Sequence, residues 1–451
     1  MTHLKNSGTT SRRSFLLGVV FWIYQIGWHI ALPVAFIRLW WRGRKESGYR
    51  QHMLERLGVY SRRFENEQPI WIHAVSVGET RAAIPLVEKL LAQGQKVLLT
   101  HMTPTGRRTG ADVFKDSIKS GQLIQAYLPY DFCWPVSSFY RYFKPQVGML
   151  METEAWPTLV FFAKDRGLPL FLINGRLSNR SFKRIAKFGE LGSTLFKDFF
   201  QILAQTESDQ ERYQLLGVPN VLVTGNLKFD VPMNAAQLAA GIQLKSKAFD
   251  SRQVVCAAST REGEETLILK AWSKVNKSNR PLLLIVPRHP QRFDEVAKLI
   301  DGNGYSLQRR SQMNLDASSS ADVVLGDSMG EMPLYYSVSD LVVMGGSLMP
   351  LGGQNLIEPC SVGRPVILGQ HTFNFHEASL DAIRVGAAWL LTTSDANDDL
   401  TDELAALLDQ LLNNSALVES ASKAALMYAH HYQGATDRTL LEISKVISSN
   451  G

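Results

Sequence analysis

The sequence predicts two doubly wound α/β domains behind an N-terminal apolar helix. Three observations carry this. From residue 70 onward, short apolar runs alternate with amphipathic helical stretches; runs without clean polar alternation suit strands buried on both faces of a parallel sheet. The halves repeat one phrase, strand, small polar residues, Gly-Glu, helix: "WIHAVSVGETRAAIPLVEKL" early and "VVCAASTREGEETLILKAW" late. Such self-similarity marks two related domains. Third, Phe15 to Ile37 contains no charged residue.

That uncharged segment reaches ~35 Å as a helix, enough to cross a bilayer. Trp22, Tyr24 and Trp28 lie inside it, with Trp40 and Trp41 just beyond, as aromatic residues do at membrane interfaces. Pro33, Gln25 and His29 weaken a straight span, so an anchor lying in the interface is the alternative. Positive charge gathers before residue 63 in Lys5, Arg12, Arg13, Arg38, Arg42, Arg44, Lys45, Arg50, Arg56, Arg62 and Arg63, against only Glu46 and Glu55. This favours an anionic surface, phospholipid being the simplest, and the denser charge after the segment puts the bulk of the chain on the cytoplasmic side. "SRRSFL" resembles a twin-arginine export signal, but no small-residue cleavage site follows the apolar run.

At 451 residues the chain has room for two or three domains. Cys133, Cys256 and Cys360 form no CxxC pair, which argues against a disulfide framework or a zinc site and fits a reducing compartment. The first half offers strands in "IWIHAVS", "KVLLTH", "VGMLMETE", "LPLFLING", "QILAQT" and "NVLVTGN". The second offers "QVVCAAST", "PLLLIVPRH", "DVVLGD", "LVVMGGS" and "PVILGQ". The seam falls between Asp230 and Arg252, dividing the chain into an anchor at 1–45, a first domain at 46–235 and a second at 236–451.

Ligands of open parallel sheets bind beyond the carboxyl ends of the strands. Ser76, Glu79, Glu152, Glu154, Asn174, Asn226 and Lys228 stand there in the first half; Ser259, Thr260, Arg261, Arg288, His289, Asp327 and Gly345-Gly346-Ser347 in the second. Glu79 sits where a phosphate-binding loop would want no acid. In "PRHPQRF", Arg288 and His289 follow a strand and suit a phosphate, with Arg292 repeating the charge. In "GGSLMPLGGQNLIEP", Gly352-Gly353 would let backbone approach a ligand. Asn355 and Glu358 share one face of a first helical turn, where Glu358 suits ribose hydroxyls and Asn355 a phosphate. The same pair also reads as a helix cap. "GDSMGEM" reads as a capping box from Ser328 to Glu331, with Met329-Gly330 offering backbone to a base edge. Glu152 and Glu154 of "METEAWP" suit divided acid and base roles or a metal, and equally a plain strand end with one solvated Glu. Lys228 of "GNLKFD" suits a leaving phosphate or a substrate carboxylate; alone it reads equally as a solvated lysine. Arg176, Arg180, Lys183 and Arg184 suit a solvated face or anionic lipid head groups. No D-x-D motif occurs, so a metal that escorts a sugar diphosphate is not indicated.

"HAVSVGET", "TPTGRR", "LPYD", "METEAWP", "TGNLKFD", "STREGEE", "PRHPQRF", "GDSMGE", "GGSLMPLGGQNLIEP" and "HTFNF" occur in order, with "IRLWWRGRK" before them. This set resembles the 3-deoxy-D-manno-octulosonic acid (Kdo) transferases of lipopolysaccharide core assembly over nearly the whole chain. The resemblance implies a membrane-anchored GT-B enzyme with two Rossmann-like domains, the first for the acceptor and the second for CMP-Kdo. It implies inverting transfer of Kdo from CMP-Kdo to lipid IVA at the cytoplasmic face of the inner membrane, without metal or cofactor and without a nucleic-acid partner. It implies Glu79 as catalytic base, with Glu152 and Lys228 supporting the transition state. CMP contacts are implied at Pro287, Arg288, Met329, Gly330, Glu331, Asn355, Leu356, Ile357 and Glu358. Gly175 stands where the family often has Ala, and Gln354 where His is common. Two rivals remain: a GT-B enzyme with another sugar nucleotide, and a membrane-tethered nucleotide-binding scaffold. A helix N-terminus at Glu79 would hold its anion and weaken it as a base.

Overall fold

A computed structural model describes residues 7–44, 46–61, 67–276, 281–313, 318–393 and 398–449. Of the basic residues before position 63, Lys5, Lys45, Arg62 and Arg63 lie outside these. The chain divides into two compact units, 1–231 with 433–451, and 232–432.

The first unit holds a seven-stranded, all-parallel sheet. Its strands are β1 (Ile70–His73), β2 (Val97–His101), β3 (Leu123–Tyr127), β4 (Val147–Met151), β5 (Leu170–Gly175), β6 (Gln201–Ala204) and β7 (Val221–Val223). Their order in space is β3-β2-β1-β4-β5-β6-β7. Every residue of β1, β2 and β4 is buried, because helices cover both faces. Ile70 and Ile72 enter one apolar cluster, and Trp71 between them enters the other, as the two-residue pleat requires. The order reverses between β1 and β4, so a crevice opens beyond their carboxyl ends. Glu79 and Glu152 follow those two strands.

The second unit repeats the plan with β8 (Val254–Thr260), β9 (Leu282–Pro287), β10 (Leu307–Arg309), β11 (Val323–Leu325), β12 (Leu341–Met344), β13 (Val366–Leu368) and β14 (Ala388–Leu390), ordered β10-β11-β9-β8-β12-β13-β14. Its reversal lies between β8 and β12.

The boundary differs from the expected one at the C-terminus. Helix Ala435–Ser449 packs Ala435, Leu440, Ile443 and Val446 into the first unit's core. Asp230 holds its start, accepting from Gly434 N–H at 2.7 Å and Thr436 N–H at 2.5 Å. The sequence reading assigns 236–451 to the second domain, and nothing local in this stretch names the core it covers.

Helix α1 (Ser7–Arg42) contains Pro33, and its Gly18–Arg42 part is long and apolar enough to cross a membrane. One face is bare: Trp22, Ile23, Ile26, Ile30, Val34, Ile37 and Trp41 are exposed. The other face packs on the first unit. Phe21 meets Phe161 with ring centroids 5.3 Å apart, and Trp28 meets Tyr130 at 5.3 Å. Gln25, a residue that weakens a membrane span, is 2% exposed and faces protein.

Candidate active site

Helix α2 (Val77–Ala92) begins at the carboxyl end of β1 with Ser76 as its cap. Glu79 is the third helical residue and bends back on the turn. Its Oε2 accepts from Val75 N–H at 2.8 Å and its Oε1 from the Ser76 hydroxyl at 3.1 Å. That is a capping-box geometry displaced by one residue. The carboxyl remains half-buried. Burial is the largest influence on it and raises its pKa, Val75 N–H lowers it, and the charges of Glu152 and Glu154 raise it again; the outcome is about 7. The expected stabilisation of the anion by the helix start is thus outweighed by lost solvation. Beside it, Gly78 is exposed, and a Cβ there would meet only Ser76 Oγ at 3.9 Å, so the space next to Glu79 is open.

Glu152 directly follows β4 in the left-handed region, φ +58, a conformation costly for a non-glycine residue and frequent at functional sites. Lys228 Nζ lies 2.7 Å from Glu152 Oε1. Lys228 is carried by a short 3-10 turn, Leu227–Asp230, held by two asparagines. Asn226 Oδ1 accepts from Lys228 N–H at 3.0 Å, and Asn174 Oδ1 accepts from Leu227 N–H at 3.0 Å. Glu79, Glu152, Glu154 and Lys228 therefore form one cluster at the sheet's switch point. Two histidines beneath it take no part: His73 and His101 are fully buried, and burial depresses each to about 3, so both stay neutral.

In the second unit Pro287 ends β9 and is buried, while Arg288 is exposed. Asn355 Oδ1 accepts from Ile357 N–H at 3.1 Å, and its amide donates to Glu358 Oε1 at 3.1 Å. Lost solvation raises the Glu358 carboxyl, Asn355 lowers it, and the Arg288 charge lowers it further, so Arg288 and Glu358 share a field. Leu356 and Ile357 are 0% and 2% exposed; only their backbone can meet a ligand. Glu331 is engaged by Arg310 at 2.9 Å and by the Ser328 hydroxyl, the capping pair read in the sequence. Met329 is 65% exposed. Gly330 has φ +79, and its carbonyl accepts from Gln237 at 3.0 Å. The Arg310–Glu331 pair went unread, because Arg310 lies in a segment with no motif.

Two sequence readings change. Arg292 grips Glu265 through both oxygens, at 2.7 and 3.1 Å, and holds Glu295 as well; its guanidinium is engaged within the protein. A Cβ on Gly352 would lie 2.2 Å from Asn374 Nδ2, so this glycine lets the chain pack on the 371–375 loop rather than on a ligand.

The halves' shared Gly-Glu turn has two outcomes. Glu264 is fully buried and accepts from three amides: Arg261 at 2.9 Å, Gly346 at 2.7 Å and Leu348 at 3.1 Å. It fills the second switch point as structure. Glu79 accepts from two donors and keeps solvent access.

The family model described as 3-Deoxy-D-manno-octulosonic-acid transferase (kdotransferase) matches residues 51–231. A 3-deoxy-D-manno-octulosonic acid transferase of Bordetella pertussis is 41% identical over 93% of this chain and 97% of that protein. One from Haemophilus influenzae is 36% identical over 88% of this chain and 91% of its own length. The crystal structure of a glycosyltransferase from Rickettsia africae superposes with a TM-score of 0.56 at 14% identity, over 86% of this chain and all of that one, a likeness that carries the fold. Two parallel α/β domains of the GT-B type, an N-terminal apolar helix and this identity along the chain show that the protein belongs to the 3-deoxy-D-manno-octulosonic acid transferase family of glycosyltransferases.

Proposed function

We propose that the chain transfers Kdo from CMP-Kdo to lipid IVA with inversion, at the cytoplasmic face of a bacterial inner membrane, and that Glu79 is the general base. The observation that carries this is Glu79 itself: a half-buried carboxyl held near 7, open on the Gly78 side and flanked by an ion-paired Glu152 and Lys228. A base with a pKa close to the working pH combines a useful ionised fraction with proton affinity.

In this reading Glu79 takes the proton of the attacking sugar hydroxyl. The freed oxygen pair bonds to the anomeric carbon of Kdo from the face opposite CMP. The anomeric carbon–oxygen bond breaks, and its electrons leave with CMP as a phosphate monoester. Arg288 and Asn355 meet the phosphate charge, Glu358 accepts from the ribose, and Pro287, Met329, Gly330, Glu331 and the backbone of Leu356 and Ile357 complete the nucleotide site. Lys228, tethered by Glu152, pairs with the Kdo carboxylate, while the developing negative charge leaves on the CMP phosphate. The bare face of α1 and the exposed Arg180, Lys183 and Arg184 support seating on an anionic phospholipid surface.

Mass spectrometry of the product formed from CMP-Kdo and a tetra-acylated lipid A precursor tests the reaction. Turnover only with a UDP-sugar would end the CMP-Kdo reading. Sequencing of the mature N-terminus tests the anchor, since a processed chain lacks it.

A further inference from the structure

The bare side of α1 is apolar, yet its covered side carries a polar clamp that the proposed mechanism does not use. Gln25 Nε2 donates to Thr158 Oγ1 at 2.7 Å, and Gln25 Oε1 accepts from Cys133 N–H at 2.8 Å. Tyr24 OH donates to Asp131 Oδ2 at 2.9 Å. Asp131 in turn accepts from Thr158 N–H and Leu159 N–H, each at 2.9 Å, and its carbonyl accepts from the Thr158 hydroxyl at 2.8 Å. Thr158 and Leu159 are the second and third residues of helix Pro157–Asp165, whose own cap residue, Trp156, makes no side-chain cap. That start would leave amides unsatisfied; Asp131 supplies the cap from another loop, and α1 holds both. All of these polar groups are buried or half-buried, with Gln25 and Asp131 at 2% and Thr158 at 0% exposed.

The segment between β4 and this helix is five residues long and carries Glu152 and Glu154. Its near end is fixed by β4. Its far end is fixed at Thr158, and Trp156 Nε1 ties Glu154 in place at 2.7 Å. The charged groups bearing on Glu79 are Glu152 and Glu154, with Lys228 joined to Glu152.

We infer that α1 is part of the catalytic apparatus: Gln25 and Thr158 are positioning residues that fix the Glu152–Trp156 loop against Glu79. The inference rests on the Glu79 reading above. It makes the anchor helix more than a tether, since seating α1 sets the far end of a loop whose near end borders the base. A displacement of about 1 Å at such a loop costs up to about 100-fold in rate.

The test uses the full chain in detergent, where partition into the membrane does not limit, with CMP-Kdo and an acylated acceptor. Gln25→Leu and Thr158→Val are compared with Thr158→Ser, which keeps the hydroxyl, and with Ile30→Ser on the bare face. Melting temperature is recorded for each. Gln25→Leu and Thr158→Val are expected to lower kcat by about 10-fold to 100-fold, leave KM for CMP-Kdo unchanged, and move the acid limb of the pH profile to lower pH as Glu152 and Glu154 fall away from Glu79. Thr158→Ser is expected to restore both. Unchanged kcat and acid limb in Thr158→Val, whatever its melting temperature, would overturn the inference. So would an equal shift in Ile30→Ser. If Gln25→Leu does not fold, the Thr158 pair decides alone. Glu79→Gln is run alongside: full turnover there removes the base reading first, whereas lost turnover with inert Thr158 variants removes only the coupling.

Discussion

Replacing Glu79 with Gln separates a base from a helix cap, because the two roles predict opposite changes in stability. Gln keeps the shape: its amide oxygen can accept from Val75 N–H, and its NH2 can donate to Ser76 Oγ. A simple cap would therefore lose about 0.3–1 kcal/mol with the charge–dipole term and retain turnover. The environment argues the other way. The carboxyl is raised from 4.5 to about 7, so the folded protein disfavours the anion. The sign follows: below pH 4.5 the group is protonated in both states and contributes nothing, while between 4.5 and 7 the unfolded chain ionises first and stability falls. Above 7 the full penalty stands. At about 1.4 kcal/mol per pH unit, discounted for solvent that reaches the site, the penalty is about 1–2 kcal/mol. Glu79→Gln is neutral at every pH. Its melting temperature should match the parent near pH 4.5 and exceed it by about 2–4 °C at pH 8, while transfer from CMP-Kdo falls by about 100-fold to 10,000-fold. Thermal melts at the two pH values and product quantified by mass spectrometry suffice. A variant less stable at pH 8 with turnover within threefold of the parent would refute the reasoning.

Four further outcomes are expected. The kcat of the parent should rise with pH and reach half its plateau near 7, where Glu79 ionises; a flat profile from pH 5 to 9 contradicts this. Lys228→Met strips the counter-ion from Glu152, so Glu79 is pushed further up and the acid limb should move to higher pH, opposite to the clamp variants. Arg288→Ala should weaken CMP binding by about 10-fold to 100-fold, the worth of a charged hydrogen bond, without lowering the melting temperature. Arg292→Ala should instead cost about 3–5 kcal/mol, because Glu265, 1% exposed, keeps only the Thr260 hydroxyl and loses its counter-ion. Calorimetric titration of CMP and thermal melts distinguish that pair of arginines.

The architecture was legible because parallel strands buried on both faces read as unbroken apolar runs, and "IWIH" is fully buried. Glu79, Glu152 and Lys228 were legible as strand-end polar residues, although they stand far apart in sequence and only the switch-point topology shows why they meet. Arg288 and Arg292 were not separable: both follow β9 with the same charge, and the difference lies in Glu265, 27 residues away. Gly352 misled for a related reason. A positive φ, here +93, marks a glycine equally well whether ligand or protein occupies the missing Cβ. Gln25 read as a blemish in a membrane helix, since nothing local in the sequence names Thr158 as its partner.

The paired Gly-Glu turns show how one turn sequence yields two different carboxylate environments. Both stand at the reversal of a parallel sheet, and both bend back on the amides of their own turn. Glu264 adds two amides from the β12 side, Gly346 and Leu348, and it is 0% exposed, so no substrate atom can approach. At the corresponding place beyond β4 the first unit has Glu152 in a left-handed conformation, which contributes negative charge where β12 contributes N–H groups. The first turn therefore loses the donors that would quench it and gains repulsion that raises its proton affinity. Lys228 pairs with Glu152 beside it, 2.7 Å away. A repeated fold thus yields one buried, amide-bound glutamate and one half-buried glutamate of raised proton affinity, and the deciding residues follow the neighbouring strand rather than lying in the turn.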